Sequence, residues 1–198
     1  MSSDWLRHSL KNMYGDAFDA LDVVLRDCPD DTWTTSVWRV RRNDRHVLPI
    51  TAGMGANLPE EERLQLHSAF CNVVLHVLFF ADHYLSGGLG EPQPPPPFEA
   101  ERQKAHTLPL RVYTREELRG YLEYCQRKAA SVLDSLDDET VEQPARIGRP
   151  FGDLLIGNLL QMNEHISQLA LVLNREAGWT DPRSTPEDRW FRKCPDCP

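Results

Sequence analysis

At 198 residues, with 30 acidic against 22 basic side chains and a formal net charge of −8, the chain can bury one sizeable core. It lacks the basic surface that binding a phosphate backbone or an anionic bilayer requires. Nucleic acid and membrane are therefore not expected as partners. No apolar run is long enough to cross a bilayer, and the opening stretch MSSDWLRHSLKNMYGD carries charges where a secretory leader needs an apolar segment, so a cytoplasmic protein is expected. Cys28, Cys71 and Cys125 stand singly in helical or helix-end positions, as reduced, small apolar side chains do in a reducing compartment.

In chain order, Leu6, Leu10, Met13, Ala17, Leu21 and Val24 recur every three or four residues and predict a first helix from Asp4 to Leu25. A connection from Asp27 to Leu58 follows. It holds Trp33 and Trp38, expected to cap one end of the core, with a pocket wall as the alternative, and the run Arg39–Arg45, whose four arginines suit an anionic group or a solvated loop. Pro59 and the acids Glu60 to Glu62 suit a first helical turn, and Leu64, Ala69, Val73, Val77, Phe80 and Tyr84 carry one continuous helix to Gly87. The next connection, from Gly88 to Tyr113, contains Pro94 to Pro97, expected to form a stiff extended strap. Thr114 with Glu117 three residues on is a capping box, and it opens a third helix ending near Asp137. After a shorter link from Asp138 to Pro150, a fourth helix runs from Phe151 to Ala177, where Gly178 stops it.

Four amphipathic helices without competing alternating strands predict an all-α protein, a four-helix bundle whose long links permit crossover connections. The domain is expected over residues 1–179, followed by a polar tail over 180–198. That tail ends in KCPDCP, where Cys194 and Cys197 have the spacing of half a zinc site or of a redox pair.

Two histidines sit in apolar helices, His76 in the second and His165 in the fourth. The row Leu154, Asn158, Gln161, His165, Gln168 and Val172 turns several polar groups toward one groove. His83 lies seven residues after His76, a rise of roughly 10 Å, so the two cannot share one ion with bonds of about 2 Å. A metal would have to draw His76 and His165 together across the core with Gln161 as third ligand, and Asp16, Asp19 or Asp22 of the first helix as a possible carboxylate. The competing reading is a pair of hydrogen-bonded core imidazoles. No HExxH motif, phosphate-cradling glycine loop or Ser/His/Asp order points to another catalyst.

The segments LHVLFFADHYLSG, LPLRVYTREELRGYLEYCQRKAASVLDSLDDE and LLQMNEHISQLALVLN together resemble the DinB-like (DinB/YfiT) superfamily, over most of the chain from the first helix to about Trp179. The resemblance implies a four-helix bundle with a long crossover. In it one histidine of the second helix and an HxxxH pair of the fourth hold a divalent metal, zinc or nickel. His76 matches the first and His165 the last, while Gln161 stands where the family has its middle histidine. It further implies a homodimer and a metal-dependent thiol S-transferase or hydrolase acting with a low-molecular-weight thiol. By that analogy His76, His165 and Gln161 surround the ion, and Asn158 and Gln168 lie behind them. A non-catalytic bundle that binds a small ligand or a protein partner, its metal site lost, is the alternative.

Overall fold

The computed structural model describes residues 4–38, 58–87, 94–98, 108–109, 111–145 and 148–183; the run Arg39–Arg45 and the pair Cys194/Cys197 lie outside them. Every regular element among the described residues is a helix: α1 Asp4–Asp27, α2 Glu60–His67, α3 Phe70–Leu85, α4 Arg115–Asp134, α5 Asp138–Glu142 and α6 Phe151–Ala177. Backbone bridges are isolated, at Ser36 with Ala69 and Pro144 with Pro150. None of these helices is long and apolar enough to cross a membrane.

α1 buries Leu10, Tyr14, Ala17, Phe18, Leu21, Val24 and Leu25. Met13, placed on the buried stripe by the three-or-four spacing, is instead 47% exposed, because the large rings of Tyr14 and Phe18 claim the core-facing positions. The expected second helix is two helices. Its apolar pattern continues across the break, but the chain turns at Ser68 and Ala69, where a segment after α1 supplies main-chain partners. Val37 N–H donates to the Ser68 carbonyl at 2.7 Å, Phe70 N–H to Thr35 at 2.9 Å and Cys71 N–H to Trp33 at 3.1 Å. The first amides of α3 have no side-chain cap, and these carbonyls satisfy them.

α4 opens on the expected box, Thr114 Oγ1 accepting from Glu117 N–H at 3.2 Å and Glu117 Oε2 accepting from Thr114 N–H at 2.9 Å. Arg111 also grips both oxygens of Glu117, at 2.6 and 2.9 Å. The guanidinium first, then the helix amide, hold this carboxyl down from its usual 4.5 to about 2. A carboxylate whose folded value is depressed adds stability in full above its unfolded value and loses it as pH falls. Urea unfolding between pH 5 and pH 2 should therefore lose stability on the acid side more steeply in wild type than in Glu117→Gln; parallel curves would dismiss the box as a contributor.

α5 was not anticipated. Asp137 caps it with Thr140, not Glu or Gln, in the third position. α6 stops at Gly178, whose φ of 62° is the left-handed conformation that glycine adopts without strain. The proline segment is a tight turn, not an extended strap over its described part: Phe98 N–H donates to the Pro95 carbonyl at 2.8 Å. Phe98 itself is buried, its ring 4.5 Å from that of Tyr113 and 4.8 Å from that of Tyr121.

α1 packs against α4 and α6, and α3 packs against the same two helices. One apolar cluster lies among the four long helices, and what burial leaves of α3 and α6 is the surface on which the site is built.

Candidate functional site

α3 has sixteen residues, and all are buried except His76, Phe80 and Tyr84. These three recur every fourth residue and so share one face. α6 meets that face with Gln161, His165 and Gln168, each partly buried. The two histidines named from sequence come together: their ring centroids are 5.0 Å apart, nearly perpendicular at 85°. Gln161 Nε2 lies 3.3 Å from His76 Nε2. Gln168 Oε1 lies 2.9 Å from His165 Nδ1. An amide oxygen only accepts, so His165 Nδ1 is the donor to Gln168, and the neutral imidazole then has its acceptor on Nε2; Gln161, placed with its amide nitrogen toward His76, donates to His76 Nε2. Phe80 lies against His76, centroids 4.6 Å apart. Trp38 packs against the core, as expected, and its ring also stacks on His165 at 6.0 Å and 23°.

Asn158 does not join this group. It is 1% exposed on the side of α6 facing α1, where its Oδ1 accepts from the Tyr14 hydroxyl at 2.9 Å. Tyr14 also reaches the Leu155 carbonyl at 3.1 Å, and burial holds its phenol far above the usual value. The acids of α1 complete nothing here: Asp16 and Asp19 are exposed, and Asp22 pairs with Arg119 at 2.8 Å. Trp33 ties the loop after α1 to the segment just before α4, its Nε1 donating to the Tyr113 carbonyl at 3.0 Å. Burial pushes the Cys28 and Cys71 thiols up to about 12 and that of Cys125 well above its ordinary value, which suits inert packing groups and not nucleophiles.

A second polar cluster escaped the sequence reading. Asp82, fully buried, pairs with Lys128 of α4, and its Oδ2 accepts from the Tyr121 hydroxyl at 3.1 Å. Lys128 Nζ also donates to the Asp82 carbonyl at 3.0 Å and to Ser86 Oγ at 2.5 Å. The signal was present, since an acid inside an otherwise apolar helix needs a partner. Its partner lies 46 residues away and is invisible to local pattern.

Two donor atoms bound at about 2 Å to one ion at a tetrahedral angle lie roughly 3.3 Å apart, and the His76–Gln161 separation equals that. The His76–Gln161 pair therefore has the spacing of two ligands on one ion, with the Gln161 amide turned to present its oxygen. The set is neutral, two imidazoles and an amide, which makes for weak affinity. Among the described residues, no three His, Cys, Asp or Glu side chains group together as metal ligands. No protein-family model, curated protein or solved structure matches the chain.

Proposed function

We propose that the chain is a DinB-like four-helix bundle with crossover connections. In this reading His76, Gln161 and His165 form a weak site for zinc or nickel that serves S-transfer or hydrolysis with a low-molecular-weight thiol. The observation that carries the reading is the meeting of His76 and His165, with Gln161 one turn before His165 and within 3.3 Å of His76. Helix directions support the bundle. Tyr14 with Asn158 and Asp27 with Trp179 pair in ascending order, so α1 and α6 run the same way. Lys11 with Asp134 and Asp22 with Arg119 set α1 against α4, whereas Leu78 with Cys125 and Ser86 with Lys128 align α3 with α4. Parallel neighbours in sequence need a link that travels the length of the bundle, as the residues between α3 and α4 would.

When bound, the ion would supply Lewis acidity that lowers the pKa of a thiol or water at an open position. The chain's own part is orientation: Gln168 fixes the proton of His165 on Nδ1 and presents Nε2. Trp38 and Phe80 flank the two imidazoles and limit water around them. The second reading, a non-catalytic bundle that binds a small ligand, is favoured by the same hydrogen bonds, since each imidazole already has a glutamine partner.

Elemental mass spectrometry on untagged protein tests this. Near-stoichiometric metal in wild type, lost in His165→Ala, is the expected result. Gln161→His should tighten binding about tenfold or more by exchanging an amide for an imidazole. Metal in that variant but not in wild type would favour the second reading. Metal in neither would discard the metal site.

A further inference from the structure

A helix face in contact with water ordinarily carries charged or small polar groups. The one face that α3 leaves partly open carries none, consisting of His76, Phe80 and Tyr84. The apolar spacing of the sequence places Phe80 and Tyr84 in the core, yet neither is buried, and their ring centroids lie 5.7 Å apart. His76 continues the line at 4.6 Å from Phe80, and His165 and Trp38 extend it at 5.0 and 6.0 Å. Five rings thus follow one another from Trp38 to Tyr84, with the lone pair of His165 Nε2 among them. Aromatic walls with a few placed polar atoms are the composition of small-molecule sites, and ring faces favour a planar aromatic guest beyond what buried area alone provides.

We infer that this face binds a neutral, planar aromatic molecule bearing a hydroxyl or thiol, its ring against Phe80 and Tyr84 and its O–H or S–H donated to His165 Nε2. The inference rests on the histidine pair being a ligand site, as proposed above, but not on metal being held there. Phe80 supplies ring contact and His165 supplies the acceptor, so the two contributions separate by experiment.

The probe is 2-naphthol, compared with decahydro-2-naphthol, which keeps the skeleton and hydroxyl but is not planar, and with 2-methoxynaphthalene, which has no donor. Titration calorimetry on the full chain, after chelation and again with zinc added, should give 2-naphthol an affinity about five- to tenfold above either analogue. Phe80→Leu keeps an apolar side chain at a partly exposed position and should erase the preference over the saturated alcohol. His165→Ala should erase the preference over the methyl ether. Circular dichroism melts of both variants check that the fold persists. Equal affinity for the three probes, a preference that survives Phe80→Leu, or no binding by wild type would each overturn the inference. Zinc uptake is measured in parallel. Aromatic preference without zinc uptake would sink the metal reading alone, and zinc uptake without aromatic preference would sink this one alone.

Discussion

Lys128→Met is expected to destabilise the protein by about 3–5 kcal/mol, the usual cost of stranding one member of a buried ion pair. Asp82 is fully buried between α3 and α4, while the Lys128 side chain is 20% exposed. The lysine leads its charge inward along an apolar stem, and the substitution leaves the carboxylate with the neutral Tyr121 hydroxyl. Water does not reach Asp82 to compensate, so the lower end of the range applies only if the helices part slightly to admit it. The double variant Asp82→Leu/Lys128→Met removes both charges and should recover most of the loss, because an apolar pair of similar size often replaces a buried ion pair at little cost. Urea unfolding of the four proteins closes the cycle. A single-variant loss under about 1 kcal/mol would mean that the pair behaves as a surface contact.

Phe98→Ala should cost a comparable 3–5 kcal/mol, roughly the penalty for deleting a fully buried aromatic ring. The ring is 1% exposed and sits against both Tyr113 and Tyr121, so its removal opens a void beside the Asp82 cluster as well as releasing the proline turn. Phe98→Leu, which keeps most of the volume, should lose clearly less. Equal unfolding midpoints for the alanine variant and wild type would show that the turn does not anchor the connection between α3 and α4.

Helix periodicity was legible because it needs only local information: the span of α6, the capping box of α4 and the glycine stop at Gly178 are all read from neighbours in sequence. What escaped depends on partners far along the chain. The apolar rhythm runs on through Ser68 and Ala69, and the break there exists because carbonyls from Trp33 and Thr35 replace helical ones. Asn158 and Gln161 share a polar row in sequence, yet three residues of helix turn one toward α1 and the other toward α3. Amphipathic spacing put Phe80 and Tyr84 in the core; on a helix buried on nearly every side, that rule no longer says which stripe faces out. The histidine pair was legible because both members stood out against apolar surroundings; the packing of Trp38 on the core was legible too, but not its contact with His165, which is set by the loop after α1.

The main-chain bonds that interrupt the helix at Ser68 have a mechanical meaning. They lash the residues leading to Trp38 onto the start of α3, so that the indole and the His76 imidazole travel as parts of one body. His165 rides on the other, α6. Its ring is gauged simultaneously by a face-on contact with Trp38 and an edge-on contact with His76. A slide of α6 by a single residue's rise, about 1.5 Å, would register on both scales at once, which makes the His165 ring a vernier between the two helices.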